Sequence, residues 1–194
     1  MLQLWYQKPA TYWEEALPLG NGRLGAMVWS GVDHETLSLN EDSLWSGYPK
    51  CADIPGAVEY YKQAQQLARE KKYSEAQELL EDMFLSDYTQ SYLPLADLKL
   101  ELQHPQGDVE NYRRSLSLED AISRLTYTIG GTTYTREAFV SAPDQAIVLR
   151  IQADKPGSIT LKARFDCRLR SSCTIEDGRL VLDGVAPSQV DPSY

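Results

Sequence analysis

From residue 95 onward, apolar side chains recur at every second position. Leu98, Leu100 and Leu102 alternate with Lys99 and Glu101, and Leu125, Tyr127 and Ile129 alternate with Thr126 and Thr128. Successive side chains of an extended chain point to opposite faces, so each run predicts a half-buried strand. Gly130-Gly131 then turns the chain into residues 132–140, a hairpin with a two-residue loop. Ile147, Leu149 and Ile151 continue the pattern. Beyond Pro156-Gly157, Ile159, Leu161, Ala163 and Phe165 oppose Thr160, Lys162 and Arg164, and Asp177-Gly178 joins 174–176 to 180–182. Upstream, residues 24–29 and 34–40 read as strands, and Gly20, Asn21-Gly22 and Gly25 mark a turn. Many short strands of alternating polarity predict a mainly β fold of antiparallel sheets, a sandwich or barrel.

Residues 55–85 break that period. Val58, Tyr61, Ala64, Leu67 and Ala68 fall three to four apart, which predicts an amphipathic helix from Pro55 to about Lys71. Ser74-x-x-Gln77 matches a capping box, so a second helix is expected over about 75–85, with Ala76, Leu79, Leu80, Met83 and Phe84 on its apolar side. The pair reads as a two-helix insertion between strands.

Composition narrows the function. The 194 residues suit one large domain, and 19 basic against 28 acidic side chains give a net charge of −9. Nucleic-acid affinity comes mainly from Lys and Arg, and the cluster Arg164, Arg168 and Arg170 is too small to supply it. Cys51, Cys167 and Cys173 are odd in number, form no C-x-x-C, and His34 lies far from His104, so neither a disulfide scaffold nor a structural zinc site is expected. Cys167 and Cys173 alone stand close enough to face each other across a turn. No run approaches the ~20 apolar residues of a membrane span, and the first ten residues lack an apolar leader core. The expectation is a cytoplasmic chain, or a secreted one if a leader has been trimmed, with no membrane and no nucleic-acid partner.

The catalytic patterns are thin. Glu14-Glu15 and Glu41-Asp42 are adjacent pairs, and neighbours on a strand point to opposite faces, so neither pair can flank one bond as an acid–base couple must. Residues 20–25 (Gly-Asn-Gly-Arg-Leu-Gly) lack the Lys-Ser/Thr of a phosphate loop and no helix follows. His34 and His104 read as turn residues. Trp5, Trp13, Trp29 and Trp45, with Tyr6 and Tyr12, crowd the first 45 residues. Such rings serve either packing in a core or domain interface, or stacking against sugars.

Two stretches carry a resemblance. Residues 13–28, Trp-Glu-Glu-Ala-Leu-Pro-Leu-Gly-Asn-Gly-Arg-Leu-Gly-Ala-Met-Val, and residues 39–47, Leu-Asn-Glu-Asp-Ser-Leu-Trp-Ser-Gly, resemble the N-terminal domain of glycoside hydrolase family 95. Tyr92-Leu93-Pro94-Leu95 before Asp97-Leu98, Tyr112-Arg113-Arg114 with Leu116 and Leu118, residues 136–141 and Ala186-Pro187 are similar to it as well. Ser43 stands where Thr is usual and Ala96 where Gly is frequent, changes that keep a hydroxyl and a small side chain.

The resemblance implies an antiparallel β-sandwich of the super-sandwich type, residues 1–194, cut short at its C-terminal end and interrupted by the insertion at about 55–85. It further implies that the complete protein is an inverting α-1,2-L-fucosidase whose general acid and water-activating residues lie on an (α/α)6 barrel outside these 194 residues. This chain would then hold no catalytic residue, metal or cofactor. Its partners would be that barrel domain and, in the full-length enzyme, a fucosylated glycan. Asn40, Glu41 and Trp45 are its candidate substrate-binding residues: an amide and a carboxylate suited to vicinal hydroxyls, and an indole for stacking. The alternative is a free-standing carbohydrate-binding sandwich module.

Overall fold

A computed structural model describes residues 2–49, 53–85 and 89–190. Among the described residues, twelve strands form three antiparallel sheets. One five-stranded sheet runs β1 (Gln3–Tyr6), β6 (Glu110–Ser117), β7 (Ser123–Ile129), β8 (Thr132–Ser141) and β9 (Ala146–Ala153). The other runs β10 (Thr160–Asp166), β5 (Ala96–Gln103), β4 (His34–Glu41), β3 (Leu24–Val28) and β2 (Leu17–Gly20). A separate hairpin pairs β11 (Arg170–Glu176) with β12 (Arg179–Val185). The mainly β fold and its two-helix insertion are therefore those expected.

The alternation of the sequence is the alternation of burial. On β7 the odd positions Ser123, Leu125, Tyr127 and Ile129 are buried and the intervening residues only partly so. Leu17, Leu19, Val28 and Leu37 from one sheet meet Leu116 and Ala138 from the other, and Leu39, Leu98, Val140 and Leu149 close around them. Two turns fall where Gly130-Gly131 and Asp177-Gly178 put them. Gly130 and Gly131 join β7 to β8 at φ 57° and 70°, and Asp177-Gly178 joins β11 to β12 at φ 49° and 75°. Positive φ at both central positions is what a two-residue hairpin turn with the native twist requires. Pro156-Gly157, by contrast, lies where the chain leaves one sheet at β9 and enters the other at β10.

β6 departs from simple alternation, turning Arg114 into the interior. Arg114 survives there because Nε donates to Lys8 O at 2.8 Å and Nη1 to Glu15 O at 2.6 Å, while the guanidinium lies 4.3 Å over the Tyr6 ring. Cys167 and Cys173 are free thiols, and Cys167 donates to Leu95 O at 3.2 Å; Cys51 lies outside the described residues.

By contact density the chain divides into two compact units, Met1–Trp45 with Tyr92–Ala186, and Ser46–Ser91 with Pro187–Tyr194. Within the second, α1 (Ala57–Arg69) and α2 (Tyr73–Phe84) pack on each other, with Tyr61 and Phe84 rings 6.5 Å apart. The capping box does not form. Lys72 caps α2, Ser74 falls inside the first turn, and Gln77 instead donates to Glu81 at 2.6 Å.

Candidate functional site

The C-terminal end of β4 carries the candidate residues. Asn40 pairs with Gly25 and Glu41 with Leu24 across β3. After Glu41 the strand stops in a turn that the Glu41 carboxylate builds, accepting the Ser43 N–H at 2.9 Å and the Ser43 hydroxyl at 2.6 Å. Leu44 N–H donates to Glu41 O at 3.2 Å. Arg23, at the start of β3, adds its Nη1 at 3.1 Å. These donors hold the Glu41 carboxyl below its ordinary value, the Ser43 hydroxyl contributing most. Its oxygens are therefore engaged in the turn.

Trp45 closes that turn. Its indole N–H donates to Asp42 O at 3.1 Å, and its ring lies tilted against Tyr92 with centroids 5.1 Å apart. Trp45 and Tyr92 also pair as an isolated antiparallel bridge, continued by Leu93 N–H donating to Leu44 O at 3.0 Å. The Tyr92 hydroxyl accepts the Asn40 amide and donates to Glu41 O at 3.3 Å. All three predicted residues therefore meet at Tyr92, which reasoning on residues 40–47 alone passes over.

Beside this corner a groove of about 500 Å³ runs over the outer face of β2, β3 and β4. Asn40, Tyr92, Pro94, Met27 and Trp13 line it; Glu41 and Trp45 do not. A neighbouring hollow of about 410 Å³ shares Trp13, Ser38 and Pro94 and adds Trp29, Asp97, Asp166 and Arg168. Even positions of β4, Ser38 and Asn40, face this side while Leu37 and Leu39 face the core, so strand parity assigns the groove its polar floor. Trp29 donates its indole N–H to Ser38 Oγ at 3.1 Å. Trp13 stands half out of the surface, 55% exposed, on a 3-10 turn, Trp13–Glu15. Its neighbour Glu15 is spent locally on Thr11, accepting its N–H at 2.8 Å and its hydroxyl at 3.0 Å. The result is a shallow trough with aromatic walls and hydroxyl, amide and carboxylate groups at hand.

The buried polar chemistry lies elsewhere, between the sheets. Glu35 on β4 accepts Ser30 N–H at 2.7 Å, Thr36 N–H at 3.0 Å and Arg136 Nη1 at 3.0 Å. Burial pushes its carboxyl above the ordinary range, and Arg136 is the strongest of the groups pulling it back. His104, in the loop expected for it, is inserted between Asp33 at 2.9 Å and the Tyr127 hydroxyl at 2.8 Å. Among the described residues, no three His, Cys, Asp or Glu side chains are grouped to hold a metal ion, and no helix is long and apolar enough to cross a membrane.

Over 171 residues the chain is 39% identical to alpha-L-fucosidase 2 of Arabidopsis thaliana, covering 87% of this chain and 20% of that protein. It is 33% identical over 168 residues to probable alpha-fucosidase A of Aspergillus niger, covering 78% of this chain and 20% of that protein. The corresponding Aspergillus oryzae protein is 30% identical over 162 residues, 77% of this chain and 21% of its own length. The chain thus spans about a fifth of the length of the curated relatives it matches. Residues 4–194 match the glycosyl hydrolase family 65 N-terminal domain, and the chain belongs to that family.

Proposed function

We propose that this chain is the non-catalytic N-terminal sandwich of a family 95-type α-L-fucosidase, which supports an (α/α)6 catalytic barrel and presents the Asn40–Trp45 corner to the sugar site. The observation that carries the reading is the match itself: an alpha-L-fucosidase and a probable alpha-fucosidase match 87% and 78% of this chain over about a fifth of their own length. What further supports it is that one member of each adjacent acidic pair is occupied structurally, Glu41 by Ser43 and Arg23 and Glu15 by Thr11. Inverting hydrolysis needs two carboxyl groups about 6.5–9.5 Å apart with room for water between them.

The test is kinetic and uses the complete enzyme. Glu41→Gln keeps one oxygen for the Ser43 donors but removes the charge; a tenfold or larger fall in kcat/KM on 2′-fucosyllactose, about 1.4 kcal/mol, in an enzyme that is still folded supports a role at the sugar site. Wild-type kinetics in both Glu41→Gln and Trp45→Ala, with lowered thermal stability, leaves the corner purely structural. The aromatic trough around Trp13 favours a second reading, an independent carbohydrate-binding module. Titrating the 194-residue chain alone with fucosylated oligosaccharides separates the two, because only the module binds without a barrel.

A further inference from the structure

Arg136 reaches from β8 into the interior between the sheets. A guanidinium carries five N–H donors. Four are used: Nη1 donates to Gly31 O and to Glu35 Oε2, and Nη2 donates to Val32 O at 2.6 Å and to the Tyr127 hydroxyl at 2.8 Å. The fifth, Nε–H, has no partner among the described residues, and neither has Ser30 Oγ. Ser30 is 0% and Arg136 2% exposed, so bulk water does not reach them. Buried polar groups in native proteins are almost always satisfied, and where protein atoms do not serve, an internal water does.

Both orphan atoms belong to residues lining one small cavity. Its size is about 10 Å³, and Glu35 and Ser123 join Ser30 and Arg136 in its wall, with Leu125 and Ala138 among the apolar remainder. That is about the smallest space that holds one water molecule, and too little for a larger ligand. A cation of similar size is repelled by Arg136. A water fits the chemistry in both senses, since it accepts from Arg136 and donates to Glu35 Oε2, which Arg136 Nη1 leaves with an unused lone pair.

We infer that this cavity is a binding site for a single ordered water, held by Arg136 Nε–H, Ser30 Oγ and Glu35 Oε2. Three hydrogen bonds are the usual complement of such a molecule. It completes the arginine's donor set and ties down Ser30, whose φ of 62° puts a non-glycine residue in the left-handed region between β3 and β4.

Two experiments decide it. In a crystal structure that resolves ordered solvent, an isolated density peak within hydrogen-bond distance of Arg136 Nε and Ser30 Oγ is expected. A dry cavity, or Arg136 Nε bonded directly to Ser30 Oγ, overturns the inference. The second is Ser123→Thr, which adds one methyl group at the cavity wall and suits a strand. If water fills the site, the methyl displaces it, Arg136 Nε loses its acceptor and the denaturation midpoint falls. If the site is dry, the methyl fills a void and the midpoint holds or rises, which also overturns the inference.

Discussion

The side-chain amide of Asn40 donates to the hydroxyl of Tyr92 across 52 residues of sequence, and that hydroxyl in turn donates a hydrogen bond to Glu41 O. One phenol thus fixes the end of β4 and receives the Trp45 ring at its side. Tyr92→Phe keeps the ring contact and deletes both hydrogen bonds. A loss of about 0.5–1.5 kcal/mol per bond is expected by chemical denaturation, toward the low end because the site is partly exposed. Tyr92→Leu removes the aromatic pair as well, a further 0.5–1.5 kcal/mol or so. Equal stability of Tyr92→Phe and wild type would show that the corner is held by the backbone bridge alone.

The Glu41 turn should be pH-dependent in a defined direction. Its carboxyl sits below the ordinary 4.5, first because of the Ser43 hydroxyl and next through the Ser43 N–H and Arg23. A lowered value in the folded state means the stabilisation is present above the unfolded value and is lost as pH falls through the folded one. The Ser43 amide resonance should therefore be constant above about pH 5 and titrate with a midpoint below 4.5. Ser43→Ala should raise that midpoint more than Arg23→Ala does. The reverse order would mean that charge, not the local hydrogen bond, controls the turn.

Between the sheets, Glu35 and Arg136 are bonded at 3.0 Å with 1% and 2% of their side chains exposed. Removing one partner of such a pair strands the other charge, which costs about 3–5 kcal/mol, whereas replacing both by apolar residues of similar volume is often far milder. Arg136→Met is therefore expected to destabilise the fold severely. The double variant Glu35→Met, Arg136→Met should recover part of that loss, although the carbonyls of Gly31 and Val32 then lose their donors. Additive losses in a thermal unfolding cycle would refute the coupling.

How much of this was legible in the sequence follows from what each residue depends on. The strands 123–129 and 132–141 were readable because burial there has period two and Gly130-Gly131 supplies the only turn that fits. β6 was not, because its inward position is Arg114, whose partners Lys8 O and Glu15 O lie about a hundred residues away. Helix α2 was placed correctly by its apolar stripe, yet its start was misread, since Ser74 and Gln77 offer a local capping signal that Lys72 pre-empts. Asn40, Glu41 and Trp45 were nominated for the candidate site through a contiguous motif. Tyr92 and Trp13 were not assigned to it, because only the pairing of β2, β3 and β4 and the bridge at residue 45 bring them to that groove. Nothing local marks Glu35 or His104 as interior; tertiary packing buries their side chains.

His104 provides the sharpest remaining test. Arg136 Nη2 donates to the Tyr127 hydroxyl, so that oxygen already serves as acceptor and its own proton points to His104 Nε2. In that arrangement Nε2 is the bare nitrogen, and the ring proton lies on Nδ1, directed at the Asp33 carboxylate 2.9 Å away. The ring is further wedged edge-on against Tyr127 and Tyr134 at 5.5 and 4.8 Å, which stack on each other at 5.3 Å. Nitrogen-15 shifts of His104 at neutral pH should therefore report the Nδ1–H tautomer, although the Nε2–H form is the more common in free imidazole side chains. Tyr127→Phe removes both the acceptor of Arg136 Nη2 and the donor to Nε2, leaving two buried groups unpaired at about 1–3 kcal/mol each. In that variant the tautomer preference should weaken while Asp33→Asn, at the exposed end of the relay, costs much less. An Nε2–H tautomer in the wild-type chain would break the proposed order of donors from Arg136 through Tyr127 and His104 to Asp33.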